Sequence, residues 1–169
     1  MYYYRLGEIP PKRHTQFRQP DGSLYKEELV SSEGFSGIYS NLYHIYPPTR
    51  IKEVKSPVPY GPKLVEDYAL KQTHLNTSKV GTTGEDFLSA RKVLLKNNDC
   101  AISICSPRQR KMDYFYKNAE GDEVLFVHDG QGVLISPFGK LKIRQGDYVV
   151  IPRTVIYKLE FEEGPLRLL

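Results

Sequence analysis

The stretch from residue 123 to residue 152 is cut by Gly130, Gly132, Pro137, Gly139, Gly146 and Pro152. The pieces left between them are too short for an ordinary helix but long enough for strands. Residues 123–128, 133–135, 141–143 and Tyr148–Ile151 are rich in Val, Ile, Leu and aromatic side chains. Asp129-Gly130-Gln131-Gly132 and Gln145-Gly146-Asp147 read as turns between them. Residues 155–161 then alternate strictly, with Tyr157, Leu159 and Phe161 on one face and Lys158 and Glu160 on the other. Period-two alternation marks a strand with one buried face. Short strands with glycine turns at this spacing predict an all-β fold, an antiparallel sandwich or barrel.

The first eighty residues are different. Pro10, Pro11, Pro20, Pro47, Pro48, Pro57, Pro59 and Pro62 break any helical period, because each lacks an N–H and fixes φ. Pro20-Asp21-Gly22-Ser23 is a turn signal, and residues 38–45 have strand character. The segment is too rich in tyrosine and too poor in charge blocks to read as disordered. It is expected to be an extended arm, residues 1–83, laid over a neighbouring surface. Residues 84–97 begin as a helical turn, with Thr83 as the cap and Glu85 and Asp86 in the first turn. Strands at 93–95 and 100–105 around Asn97-Asn98-Asp99 then predict a hairpin. Residues 84–169 form the expected barrel.

Composition excludes several classes. The chain has 169 residues, 40% of them hydrophobic and 26% charged, with a net charge of +4. That length is enough for one sizeable core. Arg5, Lys12, Arg13 and Arg18 are scattered among Pro and Gln, not gathered into the basic face that nucleic-acid binding needs. No apolar run approaches membrane-spanning length, and the N-terminus has no signal-peptide core. A cytoplasmic protein is expected. Cys100 and Cys105 would point to opposite faces of one strand and so neither pair nor share a metal; both read as small apolar residues in a reducing compartment. No phosphate-cradling glycine loop, Gly-x-Ser-x-Gly elbow or usefully spaced carboxylate pair occurs.

Two glycine-punctuated stretches resemble the paired motifs of the cupin barrel. One runs from Glu123 to Gly130, with Gly132 beyond; the other runs from Gly146 to Pro152, with Tyr157 five positions later. In cupins a His-x-His pair precedes the glutamate and a last histidine closes the second motif, and together these ligands hold a divalent metal. Here Tyr116-Lys117-Asn118-Ala119 contains no histidine and Tyr157 stands at the last ligand position, so only Glu123 remains. Thr154 stands where the second motif expects glycine, which puts the geometry of that turn in question. His128 differs from Glu123 by an odd number of positions and faces away from it, while His14, His44 and His74 are widely spaced in the arm. Each is read as a hydrogen-bonded or interface histidine. No residue is assigned a catalytic, cofactor-binding or metal-binding role.

Longer segments are similar to the homogentisate 1,2-dioxygenase family. They include Leu6-Gly7-Glu8-Ile9-Pro10, Lys12-Arg13-His14-Thr15-Gln16-Phe17-Arg18 and Gly22-Ser23-Leu24-Tyr25. More specific are Glu33-Gly34-Phe35-Ser36-Gly37, Asn41-Leu42-Tyr43-His44 and Tyr114-Phe115-Tyr116-Lys117-Asn118-Ala119. Asp122-Glu123, Leu125-Phe126-Val127-His128, Gly146-Asp147-Tyr148 and Ile151-Pro152-Arg153 complete the resemblance. It implies the N-terminal portion of an enzyme that opens the homogentisate ring with O2 at Fe(II), giving maleylacetoacetate in tyrosine and phenylalanine breakdown. It also implies a jelly-roll type cupin-like barrel, a C-terminal cupin part that holds the iron through two histidines and a glutamate, and assembly into homo-oligomers, typically hexamers. None of those ligands maps onto this sequence.

Two further expectations concern Glu123 and the end of the chain, and two rival readings stand beside the dioxygenase part. Glu123 should point inward with Leu125 and Val127 and bond to Tyr157 or Lys117, because an unpartnered buried carboxylate is costly. Leu166, Leu168 and Leu169 should open a strand whose apolar end is exposed, as in a truncated domain. The rival to a dioxygenase part is a free-standing metal-free cupin that binds a small ligand in the barrel mouth. A third reading, a metal-free epimerase with Tyr157 as its acid, finds no histidine base beside that tyrosine.

Overall fold

The computed structural model describes residues 16–31, 33–55 and 72–169. Arg5, Lys12, Arg13, His14, Pro10, Pro11, Pro57, Pro59 and Pro62 lie outside the described residues.

Strands β1 (Lys26–Ser31) and β2 (Tyr39–His44) come first, followed by β3 (Arg91–Lys96), β4 (Ala101–Cys105) and β5 (Tyr116–Lys117). After them come β6 (Glu123–Asp129), β7 (Gln131–Ser136), β8 (Gly139–Arg144), β9 (Tyr148–Ile151), β10 (Ile156–Phe161) and β11 (Arg167–Leu168). β1 and β2 form a hairpin of their own; one larger sheet has the order β5-β10-β7-β8 and the other β3-β4-β11-β6-β9. All strand pairings are antiparallel. Tyr157, Leu159, Phe161, Leu134 and Ile143 from the first large sheet share one buried cluster with Val127, Val149, Ile151, Leu168 and Cys105 from the second. The two sheets therefore face each other across a single core, a cupin-like, jelly-roll type barrel, as expected.

The alternation of β10 explains its part in this core. Tyr157, Leu159 and Phe161 are buried, while Lys158 and Glu160 pair with each other on the outer face at 2.6 Å. The stretch expected as a turn at Gly130 is instead a crossing between sheets, since β6 and β7 belong to different ones. Gly130 has φ +113°, a backbone that side-chain-bearing residues rarely adopt. Gly132 faces β10 so closely that a Cβ there would collide with the carbonyl oxygen of Glu160.

Several local readings need correction. The cap of the turn at 86–90 is Asp86, not Thr83: its Oδ1 accepts the N–H groups of Leu88 (2.7 Å) and Ser89 (3.1 Å). Thr83 bridges neighbouring segments instead, its Oγ1 donating to the carbonyl of Ala90 and accepting the N–H of Ser106. The hairpin that follows is as expected, but Cys100 lies in its turn, where Asn97 Oδ1 accepts its N–H at 2.7 Å. Cys100 is exposed and Cys105 buried, and both are free thiols. The apolar run at 166–169 is not an exposed end. Leu166 and Leu168 are buried, because β11 lies between β4 and β6. Leu169, half exposed, exchanges both backbone hydrogen bonds with Phe126.

In the arm, the turn at Pro20-Asp21-Gly22-Ser23 is present: Gly22 donates its N–H to Gln19 O at 2.9 Å, and Asp21 Oδ1 accepts the Ser23 N–H. The strand expected at 38–45 is β2, and it pairs with β1, which the charged run Lys26-Glu27-Glu28 did not advertise. Thr154 has φ 74° and its N–H donates to Asn118 O at 2.7 Å, so the turn keeps the left-handed conformation that glycine would take.

Candidate functional site

Glu123 opens β6 and points inward with Leu125 and Val127, as its register requires; only 10% of its side chain is exposed. Opposite it, β10 delivers Tyr157, which has no exposed surface. The third member is Arg91, the first residue of β3. It is set in place by the turn that Asp86 caps, where its N–H donates to Leu88 O at 3.2 Å. Asp86 is itself tied down by the Tyr114 hydroxyl, which donates to its Oδ1 at 2.9 Å.

These side chains close a ring of hydrogen bonds. Arg91 Nη1 donates to Glu123 Oε1 in a short ion pair. Arg91 Nη2 donates to the Tyr157 hydroxyl oxygen at 2.8 Å, and that hydroxyl donates to Glu123 Oε2 at 2.7 Å. The guanidinium also lies 4.9 Å from the centre of the Tyr116 ring, whose plane is perpendicular to that of Tyr157. Cation–π contact and a planar donor fork are the interactions that suit arginine better than lysine.

The electrostatics lock the proton positions. Burial pushes the Tyr157 phenol well above its ordinary value; Arg91 pulls against this and the Glu123 carboxylate adds to it. Tyr157 therefore keeps its proton and spends it on Glu123. Burial raises Tyr116 as well, against the opposing pull of Arg91. For Arg91 burial works against the charge, but Tyr157 and Glu123 outweigh it, and the guanidinium is held charged more firmly than usual.

Of the expected partners of Glu123, Tyr157 is correct and Lys117 is not: Lys117 is exposed on β5, opposite Ile156. Arg91 was missed. The available signal was indirect, since a lone inward carboxylate demands a counter-charge, but nothing local named a residue 32 positions away. The histidines lie elsewhere. His44 Nε2 contacts Glu28 at 2.7 Å within the hairpin, His74 is exposed, and His128 points outward beside Phe126.

The cluster does not suit iron. Both oxygens of its one carboxylate are already engaged, and its other members are a permanent cation and a protonated phenol. Among the described residues no group of three or more His, Cys, Asp or Glu side chains is placed to hold a metal ion. A buried phenol whose proton is committed to Glu123 also lacks the access that an epimerase acid needs. Separately, a largely apolar cleft of about 550 Å³ lies between the β1–β2 hairpin and strands β7, β8 and β9. It is bounded by Ile38 and Tyr39 on one side and Leu134, Val149, Ile151 and Arg153 on the other.

Two facing antiparallel sheets, with a glutamate and a tyrosine at positions where cupins carry ligands, define the class as a cupin-like barrel. The family model described as homogentisate 1,2-dioxygenase N-terminal matches residues 39–168, and the chain belongs to that family. It is 38% identical over 164 residues to a candidate dioxygenase of Saccharolobus solfataricus, covering 97% of this chain and 42% of that protein. The chain thus spans less than half the length of that relative. Over 56 residues it is 34% identical to the homogentisate 1,2-dioxygenase of Bradyrhizobium diazoefficiens, covering 33% of this chain and 12% of that one. A cupin-2 domain protein of Shewanella frigidimarina superposes with a TM-score of 0.40 at 19% identity, covering 46% of this chain and 74% of that one. Among the described residues no helix is long and apolar enough to cross a membrane.

Proposed function

We propose that this chain is the architectural N-terminal part of a homogentisate 1,2-dioxygenase, a cytoplasmic enzyme that opens homogentisate to maleylacetoacetate with Fe(II) and O2. The iron belongs to a C-terminal cupin part. The present barrel supports that part and contributes contacts in a homo-oligomer, a hexamer by family resemblance. It binds neither nucleic acid nor membrane. The observation that carries this reading is the Arg91–Glu123–Tyr157 ring: the only carboxylate at a cupin ligand position is saturated by a cation and a phenol. Ring cleavage needs a metal with open positions for substrate and O2, and this cluster offers none. Exposed Phe35, Ile38, Ile51 and Val54 on the arm supply apolar surface for partner contacts.

Oxygen uptake with homogentisate and Fe(II) tests this reading on the chain alone, on a C-terminal part, and on the two mixed. Activity is expected only where the C-terminal part is present. Turnover by this chain alone, or one tightly held iron per chain, overturns the reading. The cleft beneath the hairpin favours one rival, a free-standing barrel that takes a small apolar ligand. Saturable binding of such a ligand by the isolated chain, abolished by Val149→Trp, would favour that rival.

A further inference from the structure

We propose that Arg91 is a built-in cation that replaces a metal in this barrel, clamping its two sheets together and barring divalent ions from Glu123. The proposal concerns the cluster alone and stands whichever reaction the parent enzyme performs.

Glu123 Oε1 accepts from Arg91 and Oε2 accepts from Tyr157, so both carboxylate oxygens are engaged from within the barrel. A metal ion reaching Glu123 must expel the guanidinium or sit beside it. Expulsion strands a cation whose side chain is only 28% exposed, and coexistence sets positive charge against positive charge in a partly dehydrated space.

The charge at this position is also permanent. A histidine or lysine could vacate such a site by losing its proton. Arginine cannot, and here its neighbours hold it charged more firmly still. The Tyr116 ring packs against the guanidinium plane, and the Asp86-capped turn fixes the start of β3. Contacts from Glu123, Tyr157 and Tyr116 thus fix the place of the guanidinium.

Arg91 stands on β3, at one edge of its sheet; Glu123 is on β6 of the same sheet and Tyr157 on β10 of the other. The bonds to Tyr157 therefore join sheet to sheet, which is the mechanical role a metal centre has when its ligands come from several strands.

Cobalt(II), followed by its visible absorption, tests the exclusion on three forms of the full chain. Wild type should hold no Co(II), and Tyr157→His should bind it only weakly. Arg91→His/Tyr157→His, which presents two imidazoles and the Glu123 carboxylate, should hold one ion per chain about a hundredfold more tightly than Tyr157→His. Stoichiometric binding by wild type overturns the proposal, and so does equal affinity in the single and double variants or no binding by the double. The clamp is tested by thermal unfolding with and without chelator. Wild type should melt at the same temperature in both conditions, and Arg91→Met should melt about 10 °C lower, as expected when one member of a buried ion pair is removed. Arg91→Met/Glu123→Leu, which removes both charges, should recover more than half of that loss. Strictly additive losses would show that the ring is no clamp. If Arg91→Met fails to fold, the comparison of Glu123→Leu with the double variant reads the same coupling, and a double variant that melts about 10 °C below Glu123→Leu also overturns it.

Discussion

The barrel and the β1–β2 hairpin use the same antiparallel pairing but differ in what that pairing encloses. In the barrel, both sheets turn apolar side chains onto one another, and Ala90, Val127, Tyr157 and Leu159 are almost completely sealed from solvent. In the hairpin no residue of either strand is fully buried. Phe35 at 92% exposure and Ile38 at 93% stand out from the intervening loop. The hairpin register is as regular as any in the molecule, running from Lys26 opposite His44 to Ser31 opposite Tyr39. Regular pairing is thus no guide to stability; enclosed apolar surface is what separates the two regions.

The sharpest test of that contrast pairs a core truncation with a hairpin truncation. Phe161→Ala removes a buried ring stacked 6.0 Å from Phe87 and should cost about 3–5 kcal/mol in urea unfolding. Ile38→Ala should change stability by less than about 0.5 kcal/mol. A loss at Ile38 equal to that at Phe161 would break the comparison.

A second test uses alkaline pH. Burial pushes the Cys105 thiol from 9.0 up to about 12, and Tyr157 is raised by the same cause. Both groups favour the fold while protonated. Their contribution is complete below the unfolded values and is lost as pH rises through the folded ones. Stability should therefore fall from about pH 9 upward, and Cys105→Ala should flatten the part of the decline between its unfolded and folded values. A pH profile unchanged by that substitution would count against the buried thiol as the source.

The third test concerns the turn that sets Arg91 in place. Asp86→Ala removes the cap and should cost about 1 kcal/mol. Burial alone would raise the Asp86 carboxyl, but hydrogen bonds from Ser89, Tyr114 and Leu88 prevail and hold it below its ordinary 3.8. Its contribution is present above that ordinary value and fades as pH falls through the lower folded one, so Asp86→Ala should lose its effect in strong acid. Within the hairpin, His44→Ala removes a contact to Glu28 in which both side chains are about a third exposed. Its effect at neutral pH should not exceed about 0.5 kcal/mol. The smallest expected effect is a gain: Thr154→Gly relieves a left-handed backbone and should stabilise by a few tenths of a kcal/mol after glycine's entropy is counted.

What could be read from the sequence tracks the range of the interaction. β10 was legible because burial follows a strict alternation, and β9 because Gly146 and Pro152 bracket it. The Glu123–Tyr157 contact was legible because both residues hold inward positions of recognisable strands. Arg91 was not, since its role arises only when β3 is carried round to face β10, a consequence of topology and not of local pattern. The burial of Leu166 and Leu168 was hidden for the same reason: the slot they fill is made by β4 and β6, which are distant in sequence. β1 escaped notice because lysine and glutamate side chains mask a strand that has no enclosed face.

The place of β11 also bears on the order of events during synthesis. β11 follows every other described strand of its sheet in sequence yet occupies the middle of that sheet, with Leu168 paired to Cys105 on one side and Val127 on the other. Until it emerges from the ribosome, the β3–β4 hairpin has no neighbour to zip onto, and one whole sheet remains in two pieces. Such late, long-range closure slows folding and prolongs the time that strand edges stand open. A nascent chain stopped before residue 166 would present the inner edges of β4 and β6 to whatever meets them first, so chaperone contact at those two edges is expected to cease when Leu168 slots home.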